Sequence, residues 1–267
     1  MDTLGQLFGY FFTHKDFLPP AHELDGTLFT PLHLAVSAIL LALIIFAAIR
    51  LRHLGERGLR TCLFVLWVSV AVLEVIKTLW ETFAGASVHF EIWGNLPLYP
   101  CSIFMYAMPL AIFGKGIVRK MGCGYVCTLG TLGAAVNFFY PVNVIGRYSC
   151  ISFAGAQTLL SHGTMLFCAL LMLLSGYHSY RDARRPLDLL LPAVPALAVS
   201  VIANTVNFTL DTDYMFFRLR SFFFAPLGEA LPPFVSVLLV YLLYLIIHAA
   251  PYLPFYLKNR RRAKESQ

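Results

Sequence analysis

Seven stretches of the chain are apolar over a length that suits a helix crossing the hydrocarbon of a membrane, which takes about 20 residues. The fourth stretch is the least apolar, and its small residues, such as Gly130 and Gly133, are typical of close contacts between helices. The pattern predicts an all-α polytopic membrane protein, a bundle of seven transmembrane helices. The stretches lie at Pro31–Ile49, Cys62–Phe83, Leu96–Phe113, Gly122–Phe139, Ser152–Leu174, Leu187–Leu210 and Pro233–Ala250.

The segments that connect these stretches alternate in positive charge. Alternate segments contain 15 Lys and Arg residues against 4 in the others. Because cytoplasmic loops carry the excess of positive charge, the N-terminus is predicted to lie outside and the C-terminus in the cytoplasm. Residues 1–257 are predicted to form a single transmembrane domain, with 1–30 along the outer interface, and 258–267 a basic cytoplasmic tail. The net charge of +6 therefore reflects topology, and no nucleic acid partner is expected.

The composition supports a protein embedded in a membrane. Hydrophobic residues make up 58% and charged residues 13% of the chain, with a mean hydropathy of +0.71, whereas soluble domains are about a quarter charged. The first ten residues contain an acid and neither Lys nor Arg, so no cleavable signal peptide is expected. A multi-pass cell membrane protein of the bacterial inner-membrane type is predicted.

Polar side chains recur inside the predicted helices, where a charged group costs about 2.5–3.5 kcal/mol at the helix centre. With the predicted orientation, nearly all of them fall in the outer half of the membrane, which predicts a polar cavity that opens outward. The alternative is a network of hydrogen bonds that ties the helices together, and Glu74 with Lys77 is either a structural ion pair or one that orients a site. The side chains expected to line the cavity or bind substrate are Glu74, Lys77, Asn137, Ser161, Asn204, Asn207 and Tyr214.

Two further residues have the chemistry of a nucleophile and a base. Pro100 suits the first position of a helix, and this would leave the thiol of Cys101 beside free backbone N–H groups that favour the thiolate. The alternative is a small apolar filler at a helix start. His162 lies near mid-membrane, where it could activate a thiol, join two helices or relay protons. Neither the cysteine spacing nor the surroundings of His162 in its span predict a metal site, and no cofactor is expected.

Several short motifs resemble the YwaF family of bacterial multi-pass membrane proteins. They are Phe29, Pro31, His33 and Leu34, Leu96-Pro97-Leu98, Cys101-Ser102-Ile103, His162-Gly163, and Asn207 with Asp213-Tyr214-Met215. The wider family includes the transmembrane protein 164 acyltransferases of ether phospholipids, in which a Cys and a His on separate helices are thought to act. More distant androgen-induced hydrolases of fatty esters use a Thr and a His. The resemblance implies that Cys101 and His162 are the catalytic pair. Where YwaF sequences commonly have His-Leu-Cys, this chain has Tyr99-Pro100-Cys101.

These observations lead to two hypotheses of different classes. The first is a membrane-embedded acyltransferase or acyl hydrolase, in which His162 deprotonates Cys101 for attack on a lipid ester and Asn137, Asn204 and Asn207 donate to the oxyanion. Its partners would be membrane lipids, with a phospholipid or its acyl chain as substrate. The second is a carrier or receptor that binds a small solute or a lipid headgroup in the same cavity. A structural role in the envelope is a third possibility, and the oligomeric state is not predicted.

Overall fold

The computed structural model describes residue 5 and residues 9–86, 96–220 and 225–265, and these contain helices and turns but no strand. The described residues leave out parts of three segments. These are residues 1–4 and 6–8 of the predicted interfacial segment, Asn95 just before the third predicted span, and Phe222 to Phe224 between the sixth and seventh predicted spans. The α-helices, numbered along the chain, are α1 Pro31–Leu51, α2 Glu56–Ala84, α3 Ile103–Phe113, α4 Gly116–Tyr125, α5 Thr131–Phe139, α6 Val142–Ile145, α7 Phe153–Leu174, α8 Pro186–Leu190, α9 Val194–Leu210, α10 Ala225–Ala230, α11 Pro233–Ala249 and α12 Leu253–Glu265.

The all-α membrane architecture is confirmed at the level of helix length and composition. Within the described residues, five helical segments are long and apolar enough to cross a membrane, and a sixth arises if α11 and α12, which meet at a bend of 58°, count as one span. The five are 31–51, 56–84, 116–145, 153–174 and 186–210. Helix α3 is apolar but has only 11 residues. The count of seven spans and the orientation of the termini stay predictions.

Helix α3 begins later than the sequence predicted. The expected start at Pro100 is wrong, because residues 99–102 form a turn and the helix begins at Ile103. Pro97 and Pro100 disfavour helical backbone at the residues before them, and neither can donate a backbone hydrogen bond. The N–H groups of Ser102 and Ile103 both donate to the carbonyl oxygen of Tyr99, at 2.9 and 3.2 Å. These two donors are therefore used within the turn and are not open to the thiol of Cys101.

The predicted fourth span is a helix with a change of pitch. Helix α4 continues into a π-helical segment, Val126–Gly130, before α5. Gly122 lets α3 and α4 pack closely, since an added Cβ would lie 2.3 Å from the backbone N of Ala111. Gly133, which was expected at such a contact, faces open space. Close packing in this span therefore occurs nearer its N-terminal end than the small residues suggested.

The chain divides into two compact units. Unit 1 comprises residues 1–95 and 131–171, and unit 2 comprises residues 96–130 and 172–267. In unit 1, the N-terminal segment is bound to the loop before α7, since Cys150 N–H donates to the Gly26 carbonyl at 2.8 Å. The indole N–H of Trp80 at the end of α2 donates to the Phe12 carbonyl at 3.1 Å, and its ring packs on Phe153.

Unit 2 contains α3, α4, the π-helical segment, the end of α7 and α8 to α12. Its core is formed by α3 against α4 and by the N-terminal part of the α8–α9 segment against α4. Gly124 allows this second approach, because a Cβ there would lie 2.7 Å from the ring of Pro192. The result is a tightly packed set of helices below the turn that contains Cys101.

Candidate functional site

Cys101 lies in unit 2, within electrostatic range of three tyrosines. Its thiol is half-buried, and all six cysteines, which fall within the described residues, are reduced. The thiol interacts electrostatically with the hydroxyl groups of Tyr99, Tyr125 and Tyr244. Tyr125 donates its hydroxyl hydrogen to the carbonyl of Pro100 at 2.6 Å, which fixes the peptide directly before the cysteine. A partly exposed thiol with fixed backbone and several O–H groups nearby is suited to covalent chemistry on a polar group.

A second set of contacts holds the turn that contains Cys101 from the other side. The N–H of Leu96 donates to the Tyr214 hydroxyl at 3.1 Å, and the rings of Tyr99 and Tyr214 lie 5.0 Å apart. Tyr214 is itself fully buried. Its backbone is fixed by Asn207, which donates to the Tyr214 carbonyl at 2.9 Å and accepts from the Tyr214 N–H at 2.7 Å.

Ser200 and Asn204 of the sixth predicted span bind one tyrosine. Ser200 lies 2.8 Å from the Tyr241 hydroxyl, and the amide nitrogen of Asn204 donates to the same hydroxyl at 3.0 Å. The amide oxygen of Asn204 is buried without a hydrogen-bond partner among the described residues. Ser200 and Asn204 therefore share a face of this helix, and Asn204 retains an acceptor that is unused among the described residues.

His162 lies in α7, in unit 1, and is buried. Its Nδ1 lies 2.8 Å from the carbonyl oxygen of Thr158. Because a carbonyl can only accept, Nδ1 carries the hydrogen, and the neutral ring therefore has its lone pair on Nε2. This tautomer is the one that a general base needs when its other nitrogen is held by a fixed acceptor.

The other predicted polar residues of unit 1 form a separate cluster. The amide nitrogen of Gln157 in α7 donates to Glu74 of α2 at 3.0 Å and to Ser161 at 3.2 Å. Within the described residues Lys77 pairs with Glu81, at 4.0 Å. The structure thus joins α2 and α7 through polar side chains, as the sequence suggested, but the acid that pairs with Lys77 is Glu81.

Asn137 of α5 has no such partner. Its amide oxygen is buried without a hydrogen bond to any described residue. Among the described residues, Asn137 has no hydrogen bond to a neighbouring helix, and its role in binding stays a prediction.

Sequence reasoning missed Tyr125 and Tyr244 near Cys101 and the buried His248 in the same unit. The hydroxyl of Thr128, in the π-helical segment, donates to the Gly124 carbonyl at 2.7 Å and lies 2.6 Å from Nδ1 of His248. The ring of His248 packs on Tyr125 at 5.4 Å. A change of helical pitch of this kind is frequent at functional sites, but tyrosines and a threonine in apolar helices look like ordinary core residues in the sequence.

Comparison with known proteins covers almost the whole chain. A model of the TMEM164 family matches residues 27–258, a range that contains both Cys101 and His162. The chain belongs to the TMEM164 family. No curated protein and no solved structure matches it significantly. Membership in the TMEM164 family confirms the relationship to the transmembrane protein 164 group, is compatible with the YwaF resemblance, and agrees with a helical membrane protein.

Proposed function

We propose that this TMEM164-family protein is a membrane-embedded enzyme that transfers an acyl group from a lipid ester through a thioester on Cys101. The observation that carries the proposal is the hydrogen bond from Nδ1 of His162 to Thr158, which leaves Nε2 as a base. The pairing of His162 with Cys101 rests on the family resemblance, since the two residues belong to different units.

The proposed reaction has two stages with one covalent intermediate. Nε2 of His162 takes the proton of the Cys101 thiol, and the sulfur attacks the ester carbonyl to form a tetrahedral oxyanion. The C–O bond of the ester then breaks, and the departing lyso-lipid oxygen takes the proton from His162. An acyl-thioester remains. A second lyso-lipid hydroxyl, or water, then attacks the thioester, its proton passes through His162 to the sulfur, and the thiol is restored.

The tyrosines near Cys101 provide candidates for oxyanion stabilisation. Tyr125 donates to Pro100 and Tyr244 donates to the Met215 carbonyl at 2.7 Å, so both hydroxyl hydrogens are in use. Tyr99 makes no hydroxyl hydrogen bond within the described residues, and it stands two positions before the cysteine, where YwaF sequences commonly have His. We assign it the donor role, which is worth about 3–4 kcal/mol in a well-formed site.

The asparagines differ in their availability for this role. Asn207 uses both ends of its amide on the backbone of Tyr214, which favours a structural role. Asn204 donates to Tyr241. Asn204 and Asn137 stay candidate donors to the oxyanion, and substrate binding would have to reorient their side chains.

Labelling with an acyl-directed probe tests the proposal. Purified protein in detergent is treated with a lipid ester analogue that leaves a fluorescent acyl group on the nucleophile, and the rate is compared among variants. Cys101→Ala is expected to abolish labelling, and His162→Ala to slow it by about 10²–10⁴-fold, the usual contribution of a general base. Cys62→Ala is the matched control, because Cys62 is the other thiol that is not fully buried.

The outcomes separate enzyme from binding protein. Labelling that continues at the wild-type rate in both Cys101→Ala and His162→Ala contradicts the proposal and favours a carrier or receptor. Labelling that depends on Cys62 contradicts the assignment of the nucleophile. Addition of lyso-phospholipid to the labelled protein then distinguishes a transferase, which forms labelled diacyl lipid, from a hydrolase, which releases labelled fatty acid.

A further inference from the structure

A cavity of about 260 Å³ lies in unit 2, and none of the residues that line it is used in the proposed reaction. It is bordered by the start of α4, the segment that follows α7, the α8 region and the bend between α11 and α12. The residues on which the inference depends are Arg119, Lys120, Tyr177, His178, Asp188 and Tyr252. Its volume is just below the range of about 300–1,000 Å³ common for drug-sized ligands, so it suits a small molecule or the polar end of a larger one.

Two cationic side chains face this cavity from the first turns of α4. The guanidinium of Arg119 lies 3.7 Å from the ring centre of Tyr177, and this stacking holds its plane in place. Lys120 lies 2.9 Å from Asp188. An ammonium group has three donors, so this pair leaves Lys120 able to bind a second acceptor. Both residues stand close to the positive end of a helix dipole.

The lining contains two acidic residues, and one of them, Asp188, already accepts three hydrogen bonds. Asp188 accepts hydrogen bonds from the backbone N–H groups of Arg184 and Arg185, at 3.1 and 3.0 Å, in addition to Lys120. Asp182 is the second acid of the lining, and it is exposed to solvent. The two cations of α4 and the two carboxylates of the lining therefore balance in charge, and the net attraction for an anion comes from the basic residues around the cavity.

The histidine in the lining adds no charge at neutral pH. Nε2 of His178 lies 2.6 Å from the hydroxyl of Tyr252. Burial lowers the pKa of His178 to about 4, so the ring is neutral at pH 7. His178 and Tyr252 therefore offer hydrogen-bonding groups of the kind that complete an anion site, without opposing its charge.

The surroundings of the cavity are the most basic part of the described chain. Helix α12, which carries Lys258 and Arg260 to Arg262, is joined to the rim of the cavity through Asn259. The amide nitrogen of Asn259 donates to the carbonyl groups of Arg181 and Ala183, at 3.0 and 2.8 Å. The loops on this side also contribute Lys115, Arg181, Arg184 and Arg185. The resulting positive field attracts anions toward the cavity.

We propose that this cavity binds a phosphate group, held by Arg119 and Lys120, from either a phospholipid headgroup or a soluble organophosphate. Guanidinium and ammonium groups are the usual partners of phosphate, and Arg in a fixed plane binds it with two parallel hydrogen bonds. This site does not depend on the proposed acyl transfer, because none of its residues takes part in that reaction.

Binding measurements distinguish the two sources of phosphate. Delipidated full-length protein is titrated with glycerol 3-phosphate by calorimetry, and phosphatidylglycerol is compared by native mass spectrometry with a galactosyl diacylglycerol of the same acyl chains, which lacks phosphate. Preference for phosphatidylglycerol alone identifies a headgroup, and binding of glycerol 3-phosphate alone identifies a soluble ligand. Binding of both supports a phosphate site open to either source. Binding of neither, or equal binding of the galactolipid, overturns the proposal.

Variants locate the binding. Arg119→Gln and Lys120→Gln are each expected to weaken binding by at least about tenfold, as loss of a charged hydrogen bond does. Arg57→Gln is the matched control, because Arg57 is an exposed basic residue of unit 1 outside the cavity. An equal loss in Arg57→Gln would show general attraction to anions, and unchanged binding in both cavity variants would place the ligand elsewhere. Either result overturns the assignment. Lys120 is exposed, so its variant is expected to fold even if Arg119→Gln does not.

Discussion

Asn207 is the residue whose loss should disturb the Cys101 region most without touching the thiol. Its amide nitrogen donates to the Tyr214 carbonyl at 2.9 Å, and its amide oxygen accepts from Thr212 at 2.9 Å and from the Tyr214 N–H at 2.7 Å. The segment that it holds includes Met215, which has a positive φ of 56°. A non-glycine residue in that region costs energy that the surrounding contacts must offset.

The cost of Asn207→Ala can be worked out from these contacts. Asn207 is 1% exposed, so the N–H and carbonyl of Tyr214 would lose their partners in a buried site. An unsatisfied buried polar group costs about 1–3 kcal/mol, and the Thr212 hydroxyl can turn to another acceptor. Allowing for partial relaxation, the free energy of unfolding should fall by about 3–5 kcal/mol, which corresponds to a midpoint about 6–20 °C lower for a chain of this size.

Two other asparagines provide matched controls for the same substitution. Asn204 makes one hydrogen bond to the part of the chain that the structure describes, to Tyr241, so Asn204→Ala should cost about 1 kcal/mol. Asn137 has a buried amide oxygen without a partner among the described residues, so Asn137→Ala should change stability little. The measurement is thermal unfolding in detergent, followed by tryptophan fluorescence. The expected order of destabilisation is therefore Asn207, then Asn204, then Asn137.

The same variant should also change the chemistry of the thiol. Tyr214 accepts a hydrogen bond from Leu96 and packs on Tyr99, so loosening it should open the turn before Cys101. Maleimide labelling of Cys101 should become several-fold faster in Asn207→Ala at a temperature where the variant is still folded. If Asn207→Ala melts within about 2 °C of Asn137→Ala and labels at the wild-type rate, the role assigned to these hydrogen bonds is wrong.

Three further predictions test other parts of the structure. Thr128→Val should lower the free energy of unfolding by about 1–3 kcal/mol, because it removes the hydroxyl that contacts buried His248. Thr128→Ser keeps a hydroxyl at this position and should retain most of the wild-type stability. Equal melting temperatures for the two variants would contradict this. Gly122→Ala should destabilise the protein by about 1–3 kcal/mol, because the new Cβ meets the backbone of α3. Gly133 faces open space, so Gly133→Ala should be neutral or slightly stabilising. Equal melting temperatures for the two variants would refute the close packing of α3 on α4 at Gly122. The pKa of His178 is about 4 in the folded protein and about 6.5 in the unfolded chain, so between these values only the unfolded chain binds the proton. The contribution of His178 to the free energy of unfolding is therefore complete above pH 6.5 and falls by about 1 kcal/mol on going to pH 5.5. The loss of stability between pH 7.5 and 5.5 should therefore be smaller in His178→Gln, and an identical loss would show that His178 is not the cause.

The sequence by itself determined the class of protein, an all-helical membrane protein, and some of its local polar contacts. Long apolar stretches predict helices in a membrane because every backbone polar group must be satisfied within the segment there. Within the described residues, all five helical segments that are long enough to span a membrane fall on predicted stretches. Their ends differ, because α2 begins at Glu56, six residues before the apolar stretch, and caps and turns set helix ends where hydropathy does not.

Short-range polar spacing was also readable. Gln157 and Ser161, four residues apart on α7, share one face and hydrogen-bond to each other as the helical period requires. The partner of Lys77 was not readable, because Glu74 and Glu81 lie at the compatible spacings of three and four residues and only the packed helix selects Glu81.

Only the tertiary structure decided what surrounds Cys101. Tyr214 was predicted from its motif, but Tyr125 and Tyr244 lie in apolar helices far apart in the chain, where aromatic residues carry no sequence mark that separates core from site. The cavity beside Arg119 likewise depends on the tertiary structure. The sequence shows that basic residues cluster in these loops, but it could not indicate that Tyr177 holds the guanidinium of Arg119 in place. Local sequence fixes which segments become helices, whereas the grouping of distant side chains depends on how those helices pack.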